Sequence, residues 1–353
     1  PGQGRPRAGA AGGGAGPGRR EKERGAVPAR LQHISRAYWQ SGALFAAVEL
    51  DVFTAISQGA NTIAAIAKAR DMAERQVKRL VTVLTAMGLL HKEGGVWRNA
   101  DDVERFLVST SARYAGPWIL FTKPRWNPWG ELSRHLKAKD EVRLGIYENF
   151  TVEDARKYHE ATYSIGMGAG RHFSRTVDLK GRRHLLDLGG GSGAYSIIAT
   201  KTFPGLKATV FDLPPVAVVA REFIARNDAS DRVEAVGGDF TRDEFAKGVD
   251  VVLMASNLPQ YSAELIQLVV RKAFDALVPG GEMHLVGEAL DDDGTGPLDP
   301  ALWGLNEAIW GSTGEAHTEA ECRAFFTNAG FVEVKSEPFI PGVLSRIHGR
   351  KPA

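Results

Sequence analysis

The segment that starts at residue 182 alternates short apolar runs with helical patterns, and this alternation constrains the fold more than any other feature. RRHLLDLGGG is an apolar run that ends in glycines, and a helical pattern follows it in SGAYSIIATKTF. The strand pattern recurs in KATVFDLP, RVEAVGGDF, DVVLMASN and GEMHLVGEAL, with helical patterns at AVVAREFIARN and at residues 263–277. Strands that alternate with helices form a parallel, doubly wound sheet. Ligands of such sheets bind outside the carboxyl ends of the strands, so the residues there are candidates for function.

Residues 31–150 have a different, mainly helical pattern. Ala37, Leu44, Val48 and Phe53 recur at the spacing of an amphipathic helix. NTIAAIAKARDMAERQVKRLVTVLTAMGLL predicts two more helices, the second starting after Asp71, and HKEGGVWRNA predicts a hairpin with a Gly-Gly turn. The predicted fold class is therefore α/β, with a mainly helical winged-helix domain over residues 31–150 and a Rossmann-like doubly wound domain over residues 151–353.

A winged helix can bind DNA, because its second helix can enter a major groove. The recognition-helix candidate, AERQVKRLVTVL, carries three basic residues, no more than a solvated helix face would show. Residues 1–30 hold seven Arg or Lys and two Glu, so the overall charge of +2 leaves the rest of the chain slightly acidic. An acidic body argues against nucleic acid as a partner.

The first 30 residues are rich in Gly, Pro and Arg and cannot bury a core, so they are predicted to be a disordered tail. Such a tail is either a linker or the remnant of an organelle-targeting segment, so the predicted location is cytoplasmic or, in the second case, an organelle. No apolar run reaches the ~18 residues of a membrane span. The single cysteine, Cys322, excludes an intrachain disulfide and a cysteine zinc site, and no metal is predicted.

Three predicted strands end in side chains that can hold a nucleotide. Residues 187–193, DLGGGSG, let the backbone turn tightly and approach a ligand. That turn also occurs in dinucleotide-binding folds, as does an acid such as Asp212, which can hold ribose hydroxyls. The third strand ends in Asp239-Phe240, an acid for an adenine amino group and a ring that can stack on adenine. This strand end, together with VPGG at 278–281, separates the pattern from NAD-binding proteins.

DLGGGSG, FDLP, GDF and LVPGG at these spacings resemble the S-adenosylmethionine-dependent small-molecule O-methyltransferases of plants and bacteria. The resemblance covers about residues 31–345 and implies that the winged helix forms a homodimer and binds no nucleic acid. It implies S-adenosylmethionine as the cofactor, held by Asp187, Gly189, Gly191, Gly193, Asp212, Leu213, Asp239, Phe240 and Ala255. A winged-helix regulator with a vestigial ligand domain is the rival interpretation, which the intact cofactor motifs disfavour.

In that family a Leu-His-Asp-Trp segment follows the fourth strand, and its histidine removes the proton of the acceptor hydroxyl. Aligning Tyr261 with the tryptophan places Pro259 at the histidine, and proline carries no base. The acids that flank the histidine in the family are represented here by Glu288, while the second motif is altered at residues 315–318. Asn257, Gln260 and Glu288 remain as positioning residues.

Three explanations of the missing base compete. The protein is inactive, which the intact cofactor motifs disfavour, or it uses another base, for which His172, His317 and Glu288 are candidates. In the third, the acceptor has no proton to lose. A thioether sulfur is such an acceptor, because its lone pair attacks the methyl group directly and forms a sulfonium without general base catalysis. Catalysis then depends on positioning the two reactants.

Arginine and aromatic residues cluster in three segments that are predicted to line the acceptor pocket. Guanidinium groups pair with carboxylates in a fork geometry, and aromatic faces stabilise a cationic product, so the cluster favours a small acid as the acceptor. The alternative is that the tryptophans only pack the core and the dimer seam. The candidate substrate residues are Arg125, Trp126, Trp129, Tyr158, Tyr163, Met167, Arg171, His172, Trp303 and Asn306.

MASNLPQYS and GEALDDDGTGPLDPALWGLNEA are similar to segments of the methylthiohydroxybutyrate S-methyltransferases of dimethylsulfoniopropionate synthesis, a branch of the same family. This narrower resemblance agrees with the missing base. It predicts S-methylation of 4-methylthio-2-hydroxybutyrate, with O-methylation of a phenol or hydroxyl of a small natural product as the alternative.

Overall fold

The computed structural model describes residues 28–353 and divides the chain into two compact units, up to Glu104 and from Arg105 onward. The tail predicted for residues 1–30 lies almost wholly outside the described residues, and its last residues, 29 and 30, begin the first helix. The boundary predicted at residue 150 falls inside the second unit, because the helix Gly116–Phe121 packs against the helix Val152–Thr176. No helix within residues 28–353 is both long and apolar enough to cross a bilayer.

The first unit is helical and ends in a β-hairpin, as predicted. Its fifth helix starts at Glu74 rather than directly after Asp71, because Asp71 has a left-handed backbone (φ 50°) and Ala73 is the N-cap. Phe53, Ile66 and Leu84 are fully buried and form part of its core. The elements are α1 Ala29–Ser35, α2 Ala37–Glu49, α3 Val52–Ser57, α4 Ile63–Ala69, α5 Glu74–Ala86, β1 Leu90–Glu93, β2 Val96–Asn99 and α6 Asp101–Phe106, which runs across the division.

Short helices and one long helix precede the sheet of the second unit. The long helix, α10, begins at a reciprocal capping box in which Thr151 and Asp154 satisfy each other's backbone N–H groups. Short 3-10 turns lie at Lys123–Arg125 and Gly145–Tyr147. The helices are α7 Gly116–Phe121, α8 Trp126–Gly130, α9 Leu132–His135 and α10 Val152–Thr176.

A seven-stranded sheet forms the centre of the second unit, in the order β10-β11-β7-β6-β3-β4-β5. The five strands from β7 to β5 are parallel, which confirms the predicted doubly wound sheet, whereas β11 and β10 are antiparallel additions that the pattern did not predict. The strands are β3 His184–Leu188, β4 Lys207–Asp212, β5 Val233–Gly237, β6 Val249–Ala255, β7 Leu277–Gly287, β10 Val332–Ile340 and β11 Leu344–Arg350, with a separate pair β8 Ala289–Leu290 and β9 His317–Thr318.

Helices cover both faces of this sheet. Its parallel strands are therefore buried and almost continuously apolar. The helix predicted at residues 263–277 is observed at Ala263–Ala276. The helices are α11 Ala194–Thr202, α12 Pro214–Arg226, α13 Ala263–Ala276, α14 Leu298–Trp310 and α15 Glu319–Ala329.

The strand order reverses at β3, which has β4 on one side and β6 on the other. The connections after β3 and after β6 therefore leave the sheet in opposite directions and open a crevice at the carboxyl ends of these strands. Ligands of doubly wound sheets bind at this switch point. Residues 187–193, at the end of β3, and residues 255–261, at the end of β6, are therefore the candidates for ligand binding.

Candidate active site

A cavity of about 1210 Å³ opens at this switch point and is lined entirely by residues of the second unit. Its walls come from the strand ends, from the middle of α10 and from α14. Pockets for one small molecule typically measure about 300–1,000 Å³. The cavity is therefore large enough for a nucleoside cofactor and a second small molecule.

Asp212 is buried at the end of β4 and lines the cavity. Its carboxylate accepts hydrogen bonds from the backbone N–H of Gly191 (2.9 Å) and of Leu213 (2.7 Å). Burial raises the pKa of Asp212 to about 6, although both backbone donors favour the ionised form. The glycine-rich turn thus holds this acid in place at the mouth of the crevice.

Asp187, at the end of β3, is 1% exposed and carries an unused acceptor. One carboxylate oxygen accepts the hydroxyl of Ser196 at 2.7 Å, while the other, Oδ1, has no hydrogen-bond partner among the described residues. Burial, reinforced by the nearby Asp212, raises the pKa of Asp187 to about 7. Buried acceptors without partners are rare in folded proteins, and they indicate a missing ligand or water.

Asn257 supplies a second unused acceptor in the same cavity. Its side chain lies over the glycine-rich turn, where Nδ2 donates weakly to Leu188 O (3.4 Å) and Oδ1 has no partner within the described part of the chain. S-adenosylmethionine carries an ammonium group, two ribose hydroxyls and an adenine amino group, all of which are donors. The acceptors at Asp187, Asp212 and Asn257 suit such a ligand.

The turn needs glycine at two positions for both conformational and steric reasons. Gly189 (φ 63°) and Gly191 (φ 57°) have left-handed backbones, and a Cβ would meet Asn257 at the first and the ring of His159 at the second. His159 is a cavity residue that the sequence did not reveal, and burial lowers its pKa to about 4, which keeps it neutral. Gly193 instead lies at the start of α11 against Val210 and is not in the cavity lining.

Asp239 and Phe240 follow β5 and line the same cavity. Burial acts to raise the pKa of Asp239, but the hydroxyl of Thr241 and the guanidinium of Arg143 lower it overall. Arg143 pairs with Asp239 at 2.8 Å, and Phe240 packs against Tyr261 with ring centroids 5.2 Å apart. Asp239, which is predicted to bind the adenine amino group, is thus held by Arg143 from the segment before α10. The sequence motif did not predict this contact.

The remaining predicted cofactor and positioning residues also line the cavity: Leu213, Ala255, Asn257, Gln260 and Glu288. Pro259 is buried in the cavity wall, within a 3-10 turn at Leu258–Gln260. Ser256, which precedes this turn, has a left-handed backbone (φ 61°), an uncommon conformation for a residue with a side chain. The chain after β6 is therefore held in a strained turn next to the cavity. This turn contains Pro259, at the position where the family resemblance places a histidine.

Glu288 is the acid that faces the acceptor side of the cavity. It follows β7 directly, lines the cavity, and its pKa is raised to about 7 by burial, with a smaller contribution from Asp299 and Glu307. The other two candidate bases lie elsewhere. His172 packs against Phe339, and His317 is buried with its Nε2 at 2.8 Å from Tyr261 O.

The predicted substrate residues divide into two groups. Trp126, Trp129 and His172 do not line the cavity, and Trp126 is 39% exposed at the start of α8. The other seven line it: Arg125, Tyr158, Tyr163, Met167, Arg171, Trp303 and Asn306. Tyr147, Trp310 and Glu307 line it as well, so the acceptor side is rich in aromatic rings around a few charged groups.

Comparison with known proteins identifies the family. The model of the O-methyltransferase domain matches residues 147–332, and that of the O-methyltransferase dimerisation domain matches residues 32–109. The chain belongs to the O-methyltransferase family. This assignment confirms the predicted fold class, the methyltransferase activity and S-adenosylmethionine as the cofactor.

Individual relatives of this O-methyltransferase are distant but cover most of both chains. The 3-hydroxy-5-methyl-1-naphthoate 3-O-methyltransferase of Streptomyces sahachiroi is 29% identical over 92% of this chain and 95% of its own. The L-tyrosine C(3)-methyltransferase of Streptomyces lavendulae is 29% identical over 82% of each. Human N-acetylserotonin methyltransferase, solved with S-adenosylmethionine, superposes with a TM-score of 0.78 at 22% identity, covering 97% of this chain and 100% of its own. The narrower resemblance to thioether S-methyltransferases gains no support from these relatives.

The raised pKa of Asp187 predicts how stability depends on pH. An acid whose pKa is higher in the folded than in the unfolded state stabilises the fold fully below about pH 4 and loses that contribution as pH rises to about 7. Asp187→Asn removes the titration, so the free energy of unfolding of the wild type should fall relative to that of the variant by at least about 1 kcal/mol between pH 4 and pH 8. Urea unfolding at both pH values measures this, with the exposed Asp275→Asn as the control. Parallel pH profiles for wild type and Asp187→Asn would contradict it.

Proposed function

We propose that the protein methylates a hydroxyl oxygen of a small aromatic natural product and that Glu288 serves as the general base. The observation that carries the proposal is that Glu288 lines the same cavity as the cofactor residues with a pKa raised to about 7. A general base works best when its pKa is close to the working pH. Glu288 therefore offers the proton acceptor that Pro259 does not.

In this proposal the chain positions the acceptor and receives its proton. S-adenosylmethionine, when bound, would supply an electrophilic methyl group, whose bond to the sulfonium sulfur breaks to leave the neutral thioether S-adenosylhomocysteine. Glu288, once ionised, accepts the proton of the acceptor hydroxyl, so that the O–H bond breaks as the new O–C bond forms. The hydroxyl of Tyr158 lies in the electrostatic field of Glu288 and Arg125, and its pKa is raised by burial, so it stays protonated and can donate a hydrogen bond to the acceptor.

The relatives support an aromatic acceptor without fixing the acceptor atom. One is named for an aromatic hydroxy acid that it methylates on oxygen, and the other for tyrosine, which it methylates on carbon. Family membership at this level of identity is thus compatible with more than one receiving atom. The aromatic lining of the cavity, from Phe121 and Trp118 to Trp303 and Trp310, agrees with a flat ring as the acceptor.

Transfer to a thioether sulfur is the second candidate, and one observation favours it. Pro259 forms part of the cavity wall where the family resemblance places the catalytic histidine, so a reaction that needs no base also suits this site. The two candidates differ in their dependence on Glu288. A sulfur acceptor loses no proton, so its methylation should not titrate with any enzyme base.

Replacing Glu288 with Gln tests the proposed base. We expect the limiting rate of the wild type to rise with pH up to about 7 and then level off, because the ionised carboxylate is the active form. Glu288→Gln should lower this rate by about 10²–10⁴-fold and abolish the titration, while binding of S-adenosylhomocysteine persists. The exposed Glu244→Gln, outside the cavity, is the matched control.

The same assay, with labelled cofactor, compares a panel of phenols and naphthols with 4-methylthio-2-hydroxybutyrate. Label on the oxygen of an aromatic acceptor supports the proposal. Label on the thioether alone, at a rate that neither pH nor Glu288→Gln changes, would refute it and establish the sulfur reaction.

We also propose that the first unit forms a homodimer and does not bind DNA. Residues 32–109 match a dimerisation domain, and Leu31, Ile34 and Trp39 expose 57–60% of their surface on α1 and α2. Exposed apolar side chains that lie close together mark contact surfaces. The helix α5, with Arg75, Lys78 and Arg79, has no more positive charge than a solvated face needs.

Light scattering tests the dimer. The wild type should have twice the 38.2 kDa mass of one chain, and Ile34→Glu combined with Trp39→Glu should reduce it to that of one chain. Leu298→Glu, at an exposed residue of the second unit, should leave the dimer intact. A monomeric wild type, or salt-sensitive DNA binding by a chain that lacks residues 1–30, would count against this assignment.

A further inference from the structure

We infer that Arg125 binds a carboxylate of the acceptor and that the substrate class is therefore the hydroxylated aromatic acids. The hydroxyl part of this statement rests on the proposed O-methylation, whereas the carboxylate contact does not depend on which atom receives the methyl group. Sequence patterns left two arginines, Arg125 and Arg171, as equal candidates. The structure distinguishes them.

Arg125 is buried, positively charged and without an anionic partner. It is 8% exposed and lines the cavity, and among residues 28–353 its side chain makes no hydrogen bond and no ion pair within 4.0 Å. Burying a charge is costly unless it is paired. A guanidinium retained in this position therefore indicates an anion that arrives with a ligand.

Three aromatic rings hold the guanidinium in place. Its carbon lies 4.7 Å from the ring centroid of Phe121, 5.5 Å from that of Trp303 and 5.7 Å from that of Trp310. Such contacts restrict the side chain and stabilise its charge without using its N–H groups. The donors of the fork are thus left for a ligand, and this planar fork matches the two oxygens of a carboxylate.

Glu307 is an acid that interacts electrostatically with Arg125, but its carboxylate is engaged elsewhere. Its Oε2 accepts the hydroxyl of Ser312 at 2.6 Å. Burial raises the pKa of Glu307 above its ordinary value, even though Ser312 and the charge of Arg125 act in the other direction. The charge of Arg125 therefore lowers the pKa of Glu307 slightly, but the two side chains form no ion pair.

The other arginines of the cavity are less suited to this role. Arg105, Arg113, Arg171 and Arg175 are exposed, so water screens their interaction with an anion. Glu288, Asp299 and Glu307 also line the cavity and repel a second negative charge. A monoanionic carboxylate is thus favoured over a phosphate.

The surroundings of Arg125 favour an aromatic acid over an aliphatic one. Phe121 packs edge-on against Tyr158 with centroids 5.0 Å apart, and Tyr158 also approaches Tyr147. These rings line the same cavity as Trp303 and Trp310. The charges of Arg125 and Glu288 both act on Tyr158, so a flat ring bound beside Tyr158 would have its carboxylate at Arg125 and its hydroxyl towards Glu288.

Calorimetry in the presence of saturating S-adenosylhomocysteine tests the contact without relying on turnover. The ligands are hydroxybenzoates and hydroxynaphthoates, each paired with its methyl ester, together with 4-methylthio-2-hydroxybutyrate. The proteins are the wild type, Arg125→Met, Arg125→Lys and the control Arg175→Gln. Because Arg125 packs against three rings, the melting temperature of each variant is recorded, and the acid–ester comparison on the wild type needs no variant.

We expect the wild type to bind at least one aromatic acid about 30-fold or more tightly than its ester. Arg125→Met should remove that preference, Arg125→Lys should keep part of it, and Arg175→Gln should match the wild type. Equal binding of every acid and its ester, or an unchanged preference in folded Arg125→Met, overturns the inference. Tightest binding of the thioether acid overturns its aromatic part. Arg125-dependent binding of an aromatic acid without methyl transfer to its hydroxyl would instead refute the proposed function and leave the carboxylate contact standing.

Discussion

The burial of two carboxyl groups at the ends of adjacent parallel strands is the constraint on which the site depends. Asp187 is the second-last residue of β3 and Asp212 is the last of β4, and burial away from water raises the pKa of both carboxyl groups. The left-handed glycines of the following turn allow Gly191 to donate its N–H to Asp212. The same turn brings Asn257 and His159 against the backbone, so that the cofactor side of the cavity forms around this pair of acids.

The acceptor side follows a different principle, in which charges are separated rather than paired. Burial raises the pKa of Glu288, which forms no salt bridge among the described residues, and Arg125 is held by ring faces instead of by an acid. An ion pair between them would lower the pKa of the carboxyl and neutralise the guanidinium, and both would then be poorer at their proposed tasks. Separation of the two groups leaves one able to take a proton and the other able to take an anion.

Most of the cofactor side could be predicted from sequence, because its residues follow strands at fixed spacings, as Asp212 and Asp239 do. His159 and Arg143 could not be, since they come from α10 and from the segment before it, and only tertiary packing brings them to the turn and to Asp239. The antiparallel strand β10 was missed because VEVKSEPFI mixes charges with Pro338, a composition untypical of a buried strand.

The residues proposed for the acceptor side, Glu288 and Arg125, could not be chosen from sequence alone. Pro259 led to the prediction that the family's usual base is absent, but the absence of one base does not establish a reaction that needs none. The pKa of Glu288 depends on its burial beside Asp299 and Glu307, and neither the burial nor these neighbours can be read from a linear pattern. In the same way, the choice of Arg125 over Arg171 required knowing which of them is buried.

We propose that the cofactor completes the buried, partly unpaired acids at the strand ends, and proton release on binding is the measurement that tests this. Donors on the ligand favour the ionised carboxylates, so binding of S-adenosylhomocysteine near pH 6.5 should release about half a proton to one proton and should release fewer above pH 8. Titration calorimetry in buffers of different ionisation enthalpy measures this number. Binding without any proton release between pH 5.5 and pH 8, or no binding at all, would show that the cofactor does not pair with these acids.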